Sequence, residues 1–369
     1  MLFCYLIACI PVAIGFLLFM KQKEVHLAEW IIGSLVGFVI TGIFHFIALS
    51  NMTSDTETWS GHVTKAIYYP EWVQRCTRIV TYKVGKTTMT RTETYYVTHP
   101  ENWGAYCTVN GEVSISKDLF KVLSSSFGGT KPLELDRSGF HSGDKNIYIA
   151  TKNVPEILYP TTASHSWENR IKAAPSLFSF QKVPEKIKVY DYPTNKWMKS
   201  GRVLGTAASK IDILEWDKMN SWVGPKKKAN VIIIGFGDQD SKMGHWQEAK
   251  WVGGKKNDIV ITYGGPEDNP AWCYVFGWSE KFEVRRNLES IILEHKVSNK
   301  TIRLIEKEII ANYQIKDWSK FDYITIEIPY YYYIILVAIM LLTQAGFWLW
   351  AMKNDFDKNN LESRRCFPY

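Results

Sequence analysis

Two long uncharged stretches open the chain. Met1 to Met20 holds no charged side chain, and Trp30 to Leu49 holds none either, its one titratable group being His45. Between them Lys21 to Glu29 is a polar turn, too short to fold and long enough to reverse direction. A third uncharged run, Tyr330 to Met352, lies between Pro329 and Lys353 with Tyr and Trp at its edges. A helix crossing about 30 Å of hydrocarbon at 1.5 Å per residue needs roughly 20 apolar residues, and Tyr and Trp collect at the membrane interface. The pattern predicts three transmembrane helices: a hairpin over 1–50 and a third helix over 329–352, followed by a tail, 353–369. A cleaved signal peptide is the alternative for the first run, but no Lys or Arg precedes Lys21 and no A-x-A-like triplet follows.

The long polar stretch between the spans changes pattern part-way along. Over 51–200 the signals are those of strands and turns, Thr-, Tyr- and Val-rich runs broken by Gly, Pro and Asn. The clearest is Arg78 to Val84, then Gly85-Lys86, then Thr87 to Val97, a hairpin in which Gly at the first turn position suits a II′ connection. Over 201–328 the pattern alternates. Ala229–Phe236, Asp258–Tyr263 and Ala271–Trp278 read as strands, Ser241–Val252 as a short helix. Lys281–Lys296, with Val284, Leu288, Ile291 and Ile292 on one face, and Asn299–Gln314, with Ile302, Ile305 and Ile309 on another, read as amphipathic helices. Ser298 is the expected N-cap of the second. The fold class expected is an α+β membrane protein: three transmembrane helices, a β-rich soluble region and a small α/β sandwich.

Charge gives this a direction. The 369 residues carry a net +7, and Lys and Arg near membrane ends tend to stay cytoplasmic. Lys21 and Lys23 in the hairpin loop, and Lys353, Lys358, Arg364 and Arg365 in the tail, fall on the same side of a three-span chain. That places the soluble region opposite, in the periplasm of a bacterial inner membrane, where nucleic acid is excluded as a partner. Cys76 and Cys107 could there pair as a disulfide or stand as free thiols. A zinc site with His62 or His99 lacks the close ligand spacing such sites show. The densest basic run, Lys226 to Lys228, reads as a solvated face or as a contact for anionic lipid heads.

Two Gly-rich turns invite a nucleotide reading and fail it. Gly235-Phe-Gly237 ends a strand, but Asp240 stands at the third Gly position, and Asp238 and Asp240 would repel a pyrophosphate. Gly253-Gly-Lys-Lys-Asn-Asp258 lacks the Walker spacing and leads into a strand. The same acids suit a hard cation: if the strands ending before Asp238 and opening at Asp258 are neighbours, Asp238, Asp240 and Asp258 could converge on Ca²⁺ or Mg²⁺. The other reading makes Asp238 or Asp240 a helix cap and leaves Asp258 in a solvated turn. No Gly-x-Ser-x-Gly elbow and no His-Glu-x-x-His occurs, and His141, His165, His245 and His295 are scattered; no catalytic residue is assigned.

Ala229–Gly235, the stretch Ala249–Gly264 and the strand ending at Gly277-Trp278 together resemble the core of TPM domains, over about Lys218 to Tyr313. The whole chain resembles uncharacterised membrane proteins of phages and bacteria, which share the Ser54–Val63 opening and the Gly-Gly-Lys-Lys-Asn-Asp turn. The resemblance implies a membrane-tethered, extracytoplasmic α/β domain, some relatives of which are described as phosphatases or as acting in membrane-complex assembly. Two functions are expected from different classes: a non-enzymatic module that binds an envelope protein or supports an envelope complex, with the lipid bilayer as its other partner, or a metal-dependent phosphatase. Gly33, Gly37, Thr41 and His45 recur every four residues along the second span, a small-residue face of the kind that lets helices approach closely. It is expected to meet the third span, with His45 reaching Thr343 or Gln344.

Overall fold

The computed structural model describes residues 6–7, 9–10, 12–17, 27–135, 146–154, 156–174, 176–177, 180–266 and 269–354. The chain divides into two compact units: Met1–Asp55 with Trp167–Ser179 and Ser319–Tyr369, and Thr56–Ser166 with Phe180–Trp318.

In the first unit, two helices among the described residues are long and apolar enough to cross a membrane: α1 (Leu27–Thr53), over Trp30–Thr53, and α7 (Tyr330–Asn354), over Tyr330–Trp350. Three were expected. Much of Met1–Met20 lies outside the described residues, and so do the polar loop up to His26 and the tail from Asp355; the described parts of 6–17 are helical. Only 22% of each span's apolar window is buried. The core helix of a water-soluble protein would bury most of its surface, whereas Leu35, Val39, Phe46, Ile334, Leu342 and Leu349 here all point outward.

The two helices run antiparallel. Along α1 the contacts advance from Gly33 to Thr41 to Phe44, while along α7 they retreat from Gln344 to Met340 to Tyr332. Gln344 Nε2 donates to the Gly33 carbonyl at 3.1 Å, and Thr41 Oγ1 lies 3.8 Å from Met340 Sδ. A Cβ on Gly33 would come within 2.7 Å of the Phe347 ring, so the small residue permits this approach. Gly33, Gly37 and Thr41 are buried, as the four-residue spacing predicts. His45 does not reach Thr343 or Gln344. The antiparallel register puts Gln344 beside Gly33, roughly 18 Å along the helix from His45, and Thr343 Oγ1 donates within its own helix to Ile339 O at 2.8 Å. Trp30 Nε1 donates to Val12 O at 3.0 Å, joining the first stretch to the pair.

Residues 167–174 return to this unit and bond to it at two places. Asn169 N donates to Thr53 O at 2.6 Å and Asn169 Nδ2 to Asp55 at 2.9 Å, at the end of α1. Glu327 N donates to Ala173 O at 2.8 Å, just before α7. Nothing in the hydropathy pattern of these residues announces it.

The second unit begins with an antiparallel sheet. Its strands are β1 (Ser54–Tyr69), β4 (Asn102–Cys107), β5 (Gly111–Ser114), β6 (Lys131–Glu134), β7 (Asn146–Thr151) and β8 (Pro160–Glu168), in the order β5-β4-β1-β7-β6 with β8 also on β1. Helix α2 (Lys117–Ser126) covers one face through Leu123, against Val63, Ala66, Ala105 and Ala150. Ser116 caps it by accepting from Leu119 N at 3.2 Å. The predicted hairpin is β2 (Trp72–Val84) and β3 (Thr87–His99), a separate two-stranded sheet turned at Gly85, φ 64°. Cys76 faces Tyr95 across it and Cys107 is buried in β4, so both are free thiols.

The remainder is the expected alternation of strand and helix. Strands β9 (Val203–Gly205), β10 (Asn230–Gly235), β11 (Asp258–Gly264) and β12 (Trp272–Gly277) lie in the order β12-β11-β10-β9, parallel except for β12. Helices α3 (Ile213–Lys227), α5 (Glu283–His295) and α6 (Asn299–Asn312) cover one face, where Trp216, Val223, Leu288, Ile292, Ile305 and Ile309 meet Val231, Ile233 and Ile261. Helix α4 (Lys242–Trp251) covers the other, where Met243 and Trp251 meet Ile232, Ile234 and Val260. Alternate residues of β10 and β11 serve opposite faces, the period of a strand buried on both sides. The chain moves from β9 to β10 to β11 in one direction, with α3 and α4 on opposite faces. The two crossovers therefore have opposite hands, one of them the uncommon left. Ser298 stands at the N-cap of α6 as predicted, but its hydroxyl meets Thr301 Oγ1 rather than a backbone N–H.

Candidate functional site

Parallel pairing decides where the expected acids go. Asn230 pairs with Asp258 at the start of β10 and β11, and Gly235 pairs with Tyr263 at their other end. Asp238 and Asp240 follow the far end, about six residues or roughly 20 Å of strand away from Asp258. The strands are neighbours, as the cation reading required, but Asp238, Asp240 and Asp258 do not converge. Asp238 and Asp240 are exposed. Asp240 caps α4 by accepting from Lys242 N at 2.9 Å, and these bonds hold its carboxyl below the usual range. Among the described residues no group of three or more His, Cys, Asp or Glu is arranged to hold a metal ion.

The carboxyl ends of the parallel strands, where open α/β sheets bind ligands, are packed with the protein's own side chains. A Cβ on Gly235 would strike Thr206 Oγ1 and the Tyr263 hydroxyl, one on Gly205 would strike Gly235 O and the Tyr190 hydroxyl, and one on Gly264 would strike the Trp272 indole. These glycines make room for neighbours, not for a phosphate.

The opposite end of the sheet holds a buried polar cluster. Asp258 is fully buried and is no solvated turn residue: it accepts from Tyr192 Oη at 3.0 Å, Asn230 Nδ2 at 2.8 Å and Lys255 N at 2.8 Å. Burial pushes its carboxyl up, and the donated bonds pull part of that back. Burial, then the Asp258 charge, raises the Tyr192 hydroxyl well above its ordinary value. Beside them Arg202, 1% exposed, donates to Ser60 Oγ at 2.6 Å and to Asp217 at 3.4 Å. Burial raises Asp217, and the Ser200 hydroxyl and Arg202 partly offset this. Asn257 Nδ2 donates to Thr58 O at 2.7 Å. The cluster thus ties the start of β1 to the amino ends of β10 and β11. These bonds position the chain segments that carry them, while Arg202 Nε, Asn230 Oδ1 and Asn257 Oδ1 are buried without a partner.

Tyr192, Arg202, Asp217, Asn230 and Asn257 were not singled out from sequence, because they are spread over some 65 residues and only the fold gathers them. The segment carrying Tyr192 lies in the stretch read as β-rich, yet Ile187, Val189 and Tyr190 pack on the α4 face of the α/β sheet. The amide of Gln247, wholly buried, grips Tyr190, accepting from its N–H at 2.8 Å and donating to its carbonyl at 3.0 Å.

Other reactive candidates are likewise committed. A cleft of about 540 Å³ between β12 and α5 is lined by Cys273, Phe282, Arg285 and Glu289, but burial and the nearby Glu289 push the Cys273 thiol far up, away from the thiolate a nucleophile needs. Glu289 accepts from Val275 N at 2.9 Å, occupying an outward donor of this edge strand. The basic run Lys226–Lys228 ends α3: Lys227 Nζ donates to Tyr313 O at 3.2 Å, Lys226 Nζ lies 3.2 Å from the Trp222 ring centre, and Lys228 takes the left-handed cap conformation. Compared with family profiles, curated proteins and solved structures, the chain matches none.

Proposed function

We propose that the chain is a membrane-anchored module without catalytic activity, whose larger unit binds a partner or supports an envelope complex. The observation carrying this reading is the outward apolar surface of α1 and α7, 22% buried in each span, which only a bilayer or another apolar surface would cover. A third span from residues 1–20 completes the anchor. Because α1 and α7 are antiparallel, the start of α1 and the end of α7 share one side, and the positive loop and tail make that side cytoplasmic. Residues 56–318 then face the periplasm. Asp240 serves as a helix cap and Asp258 as a tie in the buried cluster, which favours binding over chemistry. The phosphatase alternative loses its ligand set, since its acids lie at opposite ends of a parallel sheet.

Membranes from cells expressing the full chain test the anchor: the protein should stay in the pellet after alkaline carbonate extraction and enter solution with detergent. Release by carbonate would sink the reading. The purified chain should not hydrolyse a chromogenic phosphate ester with or without Mg²⁺ or Ca²⁺, and metal-dependent turnover would restore the phosphatase.

A further inference from the structure

The β2–β3 hairpin is where the larger unit's charge and exposed apolar surface coincide. Its register runs unbroken from Trp72↔His99 to Val84↔Thr87; at about 3.4 Å per residue its 13-residue strands make a ribbon roughly 44 Å long. A two-stranded ribbon alone in water is marginal, and this one is exposed on both faces, Ile79 at 75% on one and Val84 at 56% on the other. Between Trp72 and His99 stand Arg75, Arg78, Lys83, Lys86 and Arg91 against Glu93 alone, a net +4 within a chain of net +7. Mid-ribbon the charge is partly cancelled, because Glu93 accepts from Arg78 Nη2 and Arg91 Nε, each at 3.0 Å.

The tip has a different character. Tyr82 pairs with Met89 and Val84 with Thr87, so these side chains share a face, and Tyr82, Val84 and Met89 are 41%, 56% and 48% exposed. Lys83 and Lys86 flank them, and no acid occurs from Trp72 to Thr92. An aromatic ring and two aliphatic side chains between lysines match a bilayer interface, where the apolar groups enter the boundary region and the ammonium groups meet anionic lipid heads. A second copy of the ribbon would set +4 against +4. A nucleic acid would gain nothing from the aliphatic tip.

We propose that the β2–β3 hairpin docks by its tip on the surface of an anionic bilayer, Lys83 and Lys86 meeting the headgroups and Tyr82, Val84 and Met89 entering between them. This goes beyond the proposed function and does not depend on α1 and α7 crossing a membrane, which carbonate extraction reads separately. The test uses the full chain in phosphatidylcholine nanodiscs, floated with vesicles of phosphatidylcholine or of phosphatidylcholine and phosphatidylglycerol in equal parts. The anionic vesicles should carry the protein and the neutral ones should not. Lys83→Gln with Lys86→Gln should weaken binding about 25-fold, on the order of five-fold per lysine, while Lys83→Arg with Lys86→Arg retains it. Val84→Ser with Met89→Ser should weaken it and leave its salt dependence unchanged. Equal flotation with both vesicle types, or an unaffected Lys→Gln pair, would overturn the proposal. So would capture of heparin, lost in the Lys→Gln pair, with no vesicle binding.

Discussion

Asp258 shows what a buried charge costs and how this chain meets that cost. It has no exposed surface, and its carboxylate is kept by donors from the Tyr192 side chain, the β10 strand and the turn before β11. Removing it strands those donors. Asp258→Ala should destabilise the protein by about 3 kcal/mol or more, read as a lowered melting temperature of the detergent-solubilised chain; Asp240→Ala, which removes an exposed cap, should lower it far less. The pH dependence has a definite sign. Burial raises Asp258 and Asp217 in the folded state, so folding takes up protons. That stabilising contribution is complete below the ordinary carboxylate value of about 4 and is lost as pH rises through the raised folded values. The melting temperature should therefore carry a component that falls as pH rises above about 4, and Asp258→Asn should diminish it. An unchanged pH slope in Asp258→Asn would mean that this carboxylate stays ionised throughout.

Elements were readable wherever one repeating period governed a whole segment. The faces of α5 and α6 were legible because a helix that buries one stripe must place Val284, Leu288 and Ile292, or Ile302, Ile305 and Ile309, three or four residues apart, and all six are buried. The β10 and β11 strands were legible as apolar runs. Helix α2 was passed over inside a stretch dominated by strand signals, although Leu119, Phe120, Leu123 and Phe127 carry a helical spacing. On α1 the glycine spacing gave the contact face, and its partner confirms a demand for space. Gly33→Leu should force Phe347 aside and lower stability by about 1–3 kcal/mol. Gly42, where a Cβ would meet nothing within 4 Å, should accept Leu with little effect. Equal losses at the two positions in a thermal melt would show that glycine content of α1, and not the α7 contact, sets its stability.

At the scale of the whole molecule, the antiparallel helices fix both ends of the long intervening chain at one end of the first unit. The start of α1 and the end of α7 then share the other end. A cysteine introduced at Lys86, exposed at the hairpin tip, should react with a membrane-impermeant maleimide in intact spheroplasts, while one at Lys21 should react only after the membrane is opened. The reverse pattern would invert the orientation. The division into units also differs from a simple succession along the chain: residues 167–177 return to the helices and 180–192 pack on the α/β sheet, so the chain visits each unit more than once.

The sequence by itself determined what depends on local period and on length. Two runs had to be long apolar helices, β2–β3 had to be a hairpin turned at a glycine, and the second half of the polar region had to alternate strands with helices. It also ruled against phosphate at Gly235–Gly237, because like charges sit there. Tertiary structure decided everything that depends on direction and on distant partners. An acid that follows one strand meets an acid that opens the next only if the two strands are antiparallel, and β10 and β11 are parallel, so Asp240 caps a helix while Asp258 is buried with Tyr192 and Asn230. His45 lost its expected partners to an antiparallel register that hydropathy does not encode. The buried cluster could not be read in advance, since a serine at 60 and an arginine at 202 look like surface residues until folding places them 2.6 Å apart and removes the water that would otherwise have satisfied both.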